Sequence, residues 1–237
     1  MKEISIVTFK WRKPSTGYKL KSPVEYSAEH VNILYKSVKR NTTIPFKFIC
    51  VTDDPSGLND EIQVIDLWDK YKNLGGCYNR LYIFSEEIKN LLGERFICID
   101  LDCVIVDNID TILTRKEDFI INKFISKGGH NQIYNGGLIM MTAGTRKSVW
   151  EDFHPIKSLE TLDRLRNEKN LVGSDQAWIQ ANLGENESMF TENDGIYDYS
   201  FLPDKKLPEN AKMIFFPGKV DPSQEKDKVE WIIKHWI

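Results

Sequence analysis

The sequence of 237 residues contains no long apolar run. No stretch approaches the ~20 apolar residues that a membrane-spanning helix requires. The first residues, MKEISIVTFKW, also lack an apolar core of the length found in signal peptides. These absences predict a cytoplasmic protein without a transmembrane segment.

Basic residues are not in excess either. Lys and Arg number 32 against 35 Asp and Glu, which gives a formal net charge of −3. A nucleic-acid-binding protein usually carries a basic domain or stripe, so this balance argues against nucleic acid as a partner. Hydrophobic residues make up 41% and dispersed charged residues 28% of the chain, which excludes wholesale disorder.

Cysteine is scarce and carries no motif. Cys50, Cys77, Cys98 and Cys103 show no C-x-x-C spacing, and three of them lie in apolar, strand-like surroundings. Buried free thiols in a reducing compartment are therefore expected.

The chain also lacks internal repeats, low-complexity tracts and a linker long enough to divide it. A chain of this length buries roughly 70% of the surface that its unfolded form exposes. We therefore predict one domain over residues 1–237.

Apolar patterning predicts alternating strands and helices. Runs of apolar residues indicate strands, and apolar positions at helical spacing indicate helices. The predicted strands are 4–9, 46–52, 61–67, 95–99, 118–125, 137–141 and 212–216, and the predicted helices are 27–40, 80–92, 145–153, 174–182 and 225–236. This alternation favours an α/β sheet with parallel central strands.

The most informative motif is a pair of acids at the end of the strand 95–99. Asp100 and Asp102 follow an apolar run, and alternation turns Leu101 away from them. Ligands of open α/β sheets collect at the carboxyl ends of strands. Two carboxylates on one side repel each other unless a cation lies between them, and Mg²⁺ or Mn²⁺ bridging to phosphate oxygens would relieve that repulsion. A strand that simply ends in solvated acids is the alternative.

Four blocks follow one another between residues 78 and 222. They are YNRL (78–81) leading to RFICIDLDCVIVDNID (95–110), YNGGLIMM (134–141), GSDQAW (173–178) and FFPGKVDP (215–222). Each block is weak alone, but the ordered set resembles glycosyltransferases of the GT-A fold, closest to glycosyltransferase family 8 and its bacterial and phage relatives.

The resemblance implies a GT-A-like three-layer α/β/α sandwich with a mostly parallel central sheet. Residues 1–115 would form the nucleotide-binding half, 116–222 the half that binds donor sugar and acceptor, and 223–237 a C-terminal helix. The implied activity is metal-dependent hexosyl transfer from a nucleotide-diphosphate sugar, with a UDP-sugar favoured, to the hydroxyl of a glycan, lipid-linked or protein acceptor. Family 8 membership would further imply retention of the anomeric configuration.

The resemblance also assigns roles to individual residues. Asp100 and Asp102 would hold Mn²⁺ or Mg²⁺ against the diphosphate, Asp175 would bind sugar hydroxyls, and Gln176 would lie at the face of the anomeric carbon. These two residues are the catalytic candidates. The remaining donor-binding candidates are Thr8, Phe9, Lys10, Trp11, Asp53, Arg80, Asp100, Asn135, Gly136, Gly137, Gly218 and Lys219.

Each of these assignments has a plainer structural alternative. The segment at Asp53 is also a good turn, Arg80 could be a solvated helix residue, and the glycines after Asn135 could form a bulge without a ligand. An acidic residue such as Asp175 is favourable in any first helical turn.

The last block departs from the family pattern. The family usually has His-Phe-x-Gly-x-x-Lys-Pro there, and its histidine is commonly a third metal ligand, whereas this chain has Phe215, Phe216 and Pro217. Fewer protein ligands for the metal, or loss of metal dependence, would follow.

Two other functions remain open from the sequence. The DLDCVIVD segment (100–107) resembles the Asp-x-Asp loop of haloacid-dehalogenase phosphatases, in which Asp100 would be the nucleophile. That motif normally opens its chain and is followed by further acidic ligands, which are absent here. A nucleotide-sugar-binding protein that has lost catalysis is the second alternative.

Overall fold

The structure, a computed structural model, describes residues 3–12, 25–125, 128–218 and 220–237. Its strands are β1 (Ile4–Lys10), β2 (Phe46–Thr52), β3 (Gln63–Asp66), β4 (Arg95–Ile99), β5 (Cys103–Ile105), β6 (Phe119–Lys123), β7 (Tyr134–Thr142), β8 (Ser188–Phe190), β9 (Ile196–Asp198) and β10 (Met213–Phe215). Its α-helices are α1 (Ala28–Asn41), α2 (Ile88–Leu92), α3 (Asp110–Leu113), α4 (Ser148–Glu151), α5 (Lys157–Lys169), α6 (Asp175–Leu183), α7 (Pro222–Glu225) and α8 (Glu230–His235).

The central sheet has seven strands in the order β3-β2-β1-β4-β7-β6-β8. Strands β1 to β4 are mutually parallel, and β7 runs antiparallel to both of its neighbours. All seven residues of β1 are buried, as expected for a parallel strand that is covered on both faces. The predicted mixed sheet with a mostly parallel centre is confirmed.

Two apolar cores cover the two faces of this sheet. On one face, α1 packs through Val31, Leu34 and Val38 against residues such as Ile6 and Ile97. On the other face, the segments from Tyr78 to Leu92 and from Val149 to Ile179 pack against the alternate side chains of the same strands. Because successive side chains of a strand point to opposite faces, each apolar strand supplies both cores. The predicted three-layer α/β/α arrangement follows.

A second, three-stranded sheet in the order β5-β10-β9 stands beside the main sheet. Strand β10 runs antiparallel to β5 and parallel to β9. The C-terminal helix α8 packs on it through Ile232 and Trp236. This small sheet places residues of the last sequence block next to the acid pair.

Three predicted helices differ from the structure. Residues 80–92 are not one helix, because a 3₁₀ helix (Tyr78–Phe84) ends at an extended Ser85 before α2 begins. The 3₁₀ geometry stacks residues three apart, so Tyr78, Leu81 and Phe84 all face the core. The helices predicted at 145–153 and 225–236 shrink to α4 and α8, with α7 separate.

Helix α5, the second longest helix of the described chain, was not predicted from the sequence. Among its apolar residues only Leu162 is fully buried, and most of its surface faces solvent. A helix with so narrow an apolar stripe gives a weak periodic signal.

The cysteines are mostly buried, as expected. Cys50, Cys98 and Cys103 are buried free thiols, whereas Cys77 is half-buried. None of the helices in the described ranges is long and apolar enough to cross a membrane.

Candidate active site

A cavity of about 550 Å³ opens at the carboxyl ends of the parallel strands. Strands β1 and β4 end there, and because β7 is antiparallel to β4 it begins there. The amide of Asp100 donates to the carbonyl of Gly137 at 2.9 Å and thereby joins the two strand ends. The fold thus brings residues of all four sequence blocks to one cavity.

The acid pair lies in the connection between β4 and β5 rather than on a strand. Asp100 and Asp102 both line the cavity. Leu101 between them is only 2% exposed and joins the core beneath the sheet. Burial of this leucine holds both carboxylates on the cavity side.

Arg80 bridges two of the predicted site acids. Its side chain is 11% exposed and forms ion pairs with Asp100 and, at 2.5 Å, with Asp175. Its Nε also donates to Asp175 at 3.0 Å. Burial disfavours the charge of Arg80, but the charges of Asp100 and Asp175 outweigh it, so the pKa of Arg80 is raised well above its usual range. Arg80 therefore remains a fixed cation at the cavity wall.

Two glycines make room for this ion pair. The register of β6 against β7 shifts after Ile121, which leaves Gly136 and Gly137 in an irregular, bulged stretch. A Cβ atom on Gly136 would lie 3.0 Å from Nη2 of Arg80 and 3.1 Å from Oδ2 of Asp175. The backbone amide of Gly137 donates to Oδ1 of Asn135 at 2.7 Å, and this bond holds the Asn135 side chain at the cavity. The bulge therefore serves the packing of charged groups.

Helix α6 delivers Asp175 and Gln176 from its first turn. Ser174 occupies the N-cap position, but its hydroxyl accepts from the amide of Cys77 at 2.9 Å instead of capping the helix. Gln176 donates to the carbonyl of Val172 at 3.1 Å and accepts from the amide of Gly136 at 3.4 Å. Both ends of the Gln176 amide are thereby oriented.

The charge of Asp102 is disfavoured in the folded protein. Burial, followed by the charges of Asp100 and Asp221, raises the pKa of Asp102 to about 8. Tyr26 donates a hydrogen bond to Asp102, and burial together with these carboxylates raises the pKa of Tyr26 far above its usual value. A cation beside Asp102 would relieve this repulsion.

The residues present fit a hard divalent cation that has two protein ligands. Carboxylate oxygens suit Mg²⁺ or Mn²⁺, and both ions accept water and phosphate oxygens in the remaining positions. Within the described ranges, no three His, Cys, Asp or Glu side chains are grouped so that they could hold a metal ion. Asp100 and Asp102, which both line the cavity, are the residues that would hold such an ion.

Only some of the donor-binding candidates at the ends of β1 and β2 line the cavity. Phe9 and Trp11 line the cavity, and their rings contact each other edge to face with centroids 6.1 Å apart. Thr8 is fully buried and donates to the carbonyl of Ile99 at 2.9 Å. Lys10 approaches Asp54 at 3.8 Å, and Asp53 accepts from the amide of Arg12 at 3.2 Å. Thr8, Lys10 and Asp53 are not among the residues that line the cavity.

The last block reaches the cavity through Phe215, Pro217 and Gly218. Phe215, at the position of the family histidine, is 3% exposed and packs against Gly137. Lys219 lies outside the described residues. The aromatic ring gives this part of the wall no metal ligand.

Sequence reasoning missed several residues that line the cavity. They are Tyr26, Cys77, Phe124, Ile125, Asp198, Ser200 and Phe201. Their segments carry no motif. They lie after β6, in and after β9, and just before α1 and the 3₁₀ helix Tyr78–Phe84, and these segments meet only in the folded chain.

Asp198 offers a test of how burial affects stability. It is 8% exposed, and burial raises its pKa to about 7. A carboxyl with a raised folded-state pKa keeps its proton in the folded state, so its cost to stability grows as pH rises from about 4 to 7. We expect Asp198→Asn to stabilise the protein at pH 8 by roughly 2–4 kcal/mol and by clearly less at pH 5. Urea unfolding at both pH values measures the difference, and the exposed Asp204→Asn is the control.

Solved glycosyltransferases share the fold of this chain. The chain has the GT-A fold of glycosyltransferases. The galactosyltransferase LgtC, solved with donor and acceptor sugar analogues, superimposes with a TM-score of 0.56 at 11% identity over 92% of this chain and 89% of its own. An LgtC active-site mutant in which glutamate replaces a glutamine superimposes with a TM-score of 0.61 at 11% identity, over 98% of this chain and 93% of its own.

A second glycosyltransferase shows the same similarity. Apo GlyE from Streptococcus pneumoniae TIGR4 superimposes with a TM-score of 0.57 at 12% identity, over 98% of this chain and 62% of its own. No protein-family model and no curated protein matches the sequence. At such identities the similarity establishes the shared fold, and the predicted GT-A architecture is confirmed.

Proposed function

We propose that this protein is a glycosyltransferase that moves a sugar from a nucleotide-diphosphate sugar to an acceptor hydroxyl. One observation carries the proposal: Arg80, Asp100, Asn135 and Asp175, which come from three separate sequence blocks, converge on one cavity of a GT-A fold. Solved proteins of this fold include a galactosyltransferase that binds donor and acceptor sugar analogues.

A divalent cation belongs to this proposal. Asp100 and Asp102 would hold Mn²⁺ or Mg²⁺, and the ion would neutralise charge that develops on the departing diphosphate. Phe9 and Trp11 would border the nucleoside base, and a UDP-sugar is the favoured donor.

Arg80 and the two catalytic candidates prepare the donor-sugar end of the cavity. Arg80 locks the carboxylate of Asp175 in place, so this group can accept hydrogen bonds from sugar hydroxyls without moving. Gln176 is held at both ends of its amide and presents a neutral dipole to the anomeric carbon. In LgtC, which has the same fold, an active-site mutant is altered at a glutamine, so a glutamine can belong to the active site of this fold.

Transfer with retention is the reaction course that we propose for these groups. The bond from the anomeric carbon to the phosphate oxygen breaks, and the acceptor oxygen bonds to the same face of that carbon. The proton of the acceptor hydroxyl passes to the departing phosphate oxygen. Gln176 is uncharged and a weak nucleophile, so its part is to stabilise positive charge on the sugar ring.

The experiment that tests the proposal is a thermal-shift screen. UDP-, GDP-, CMP- and dTDP-sugars are each added with and without Mn²⁺, because a ligand that binds the folded state raises Tm. A metal-dependent shift with one donor, followed by release of its nucleoside diphosphate, supports a transferase. Absence of binding and of hydrolysis across the panel contradicts it.

Two alternatives have different outcomes in the same assays. A catalytically inactive nucleotide-sugar-binding protein, which Phe215 in the place of a histidine favours, would bind a donor without turnover on any acceptor. A phosphatase would release phosphate from a simple aryl phosphate in the presence of Mg²⁺. The fold comparison favours the transferase over the phosphatase.

Tyr26→Phe tests the support of the acid pair. This variant keeps the ring but removes the hydroxyl that donates to Asp102. Groups that orient a metal ligand typically contribute 10- to 100-fold to metal affinity, so we expect the Mn²⁺ concentration for half-maximal donor turnover to rise about tenfold. Tyr35→Phe is the matched control, because the Tyr35 hydroxyl accepts from Lys39 and Tyr35 does not line the cavity. An unchanged Mn²⁺ dependence in Tyr26→Phe would refute the role.

A further inference from the structure

Asp198 is a buried acid that the proposed transfer reaction does not use. It ends strand β9, is 8% exposed, and lines the cavity. Its Oδ1 atom is buried and has no hydrogen-bond partner among the described residues. By contrast, Asp100 and Asp175 are both held by Arg80. Because an unpaired buried polar atom is costly, an unpaired carboxyl at a cavity wall indicates a ligand that completes it.

Asp198 is separate from the acid pair. In the small sheet Asp198 lies opposite Phe215, and Phe215 lies opposite Cys103. Two strand spacings, about 10 Å in all, therefore separate the backbone of Asp198 from that of Cys103. The backbone of Asp198 thus lies across the small sheet from the segment that follows the acid pair.

The surroundings of Asp198 suit a sugar ring. The 3₁₀ helix Tyr199–Phe201 follows directly and brings Ser200 and Phe201 to the cavity wall beside Phe215. Tyr199 stacks on Phe216 with ring centroids 4.3 Å apart, which anchors this segment to the small sheet. An aromatic ring next to a carboxyl and a hydroxyl binds the apolar face of a sugar and its hydroxyl groups together.

We propose that Asp198, Ser200 and Phe201 form the subsite for the acceptor sugar, in which the Asp198 carboxyl accepts a hydrogen bond from a ring hydroxyl. The inference rests on the proposed function, because Arg80, Asn135, Asp175 and Gln176 then occupy the donor-sugar end. The acceptor class is a neutral glycoside, since a carboxylate or phosphate on the acceptor would be repelled by Asp198. Burial, which raises the pKa of Asp198 to about 7, lets this group accept or donate a hydrogen bond near neutrality.

The kinetic test uses methyl glycosides of neutral hexoses and N-acetylhexosamines as acceptors, with the donor identified in the thermal-shift screen. Nucleoside diphosphate release is measured for the wild type, Asp198→Asn, Ser200→Ala and the control Asp204→Asn, whose side chain is exposed. Asp198→Asn removes the charge from a group that would accept a hydrogen bond from the glycoside. Because such charged hydrogen bonds are stronger than neutral ones, we expect the glycoside KM to rise about 10- to 100-fold and the donor KM to change by less than about threefold. Asp204→Asn should match the wild type.

A binding measurement distinguishes failure of this inference from failure of the proposed function. Saturation-transfer NMR monitors the binding of the same glycosides in the absence of donor. Glycoside binding that Asp198→Asn abolishes supports the subsite, even if the wild type turns over no donor. Donor turnover that no glycoside stimulates overturns the subsite and leaves the transferase standing. If Asp198→Asn weakens donor and glycoside binding equally, the acceptor subsite is also overturned. Asp198 would then contact the donor or support the folded structure as a whole.

Discussion

Replacing Asp102 by asparagine should lower metal-dependent donor turnover by roughly a hundredfold or more. The substitution keeps the shape of the side chain but removes one of two carboxylates that would hold the cation. Because burial and the charges of Asp100 and Asp221 raise the pKa of Asp102 to about 8, removal of this carboxylate should also stabilise the metal-free protein at high pH. We therefore expect a higher Tm without Mn²⁺ and a smaller Tm increase on Mn²⁺ addition.

Lower donor turnover together with a higher Tm in the absence of Mn²⁺ distinguishes a metal ligand from an acid that only supports the fold. Initial rates of nucleoside diphosphate release and Tm values with and without Mn²⁺ provide both readouts. Asp107→Asn, an exposed acid five residues further along, should change neither. Wild-type turnover by Asp102→Asn at limiting Mn²⁺ would show that the acid pair does not hold the metal.

The second large effect concerns stability as well as activity. Arg80→Met should destabilise the fold by about 3–5 kcal/mol, because the side chain of Asp175 is only 5% exposed and would lose its cation. For a domain of this size the loss corresponds to a fall in Tm on the order of 10 °C. Donor turnover should fall too, since Asp175 and Asp100 would no longer be held. Urea unfolding and the turnover assay measure the two effects.

A double-mutant cycle tests whether the unpaired Asp175 causes the stability loss in Arg80→Met. Arg80→Met combined with Asp175→Asn removes both charges of one pair, so it should recover a large part of the lost stability without restoring turnover. Lys39→Met, which breaks the exposed pair with Glu61, should leave stability nearly unchanged. If the double variant is less stable than Arg80→Met, the ion pair is not the source of the loss.

The elements that the sequence predicted best are the apolar strands. β1, β2 and β4 are continuous apolar runs, because both faces of a central parallel strand are buried. The four ordered blocks likewise placed Arg80, Asp100 and Asp175 in one site, and the structure joins these three side chains in one ion-pair network. Short-range pattern and motif order were sufficient for these features.

Other parts of the site had no comparable signal. Tyr26 precedes Asp102 by 76 positions, and Asp198 follows it by 96. No periodicity connects residues so far apart. The predicted helix at 80–92 failed for a related reason: core packing favoured a 3₁₀ row of Tyr78, Leu81 and Phe84, which the spacing of apolar residues does not distinguish from an α-helix.

The sequence by itself predicted a mostly parallel α/β sheet, an acid pair after a buried strand, and a phenylalanine at position 215, where the family that the sequence resembles usually has a histidine. These properties depend on neighbouring residues and on burial, which leave a pattern in the chain. Only the tertiary structure decided which charges are paired and which are not. Asp175 is neutralised by Arg80, whereas Asp198 is buried with an unpaired oxygen, because pairing depends on which distant segments the fold brings within hydrogen-bond distance.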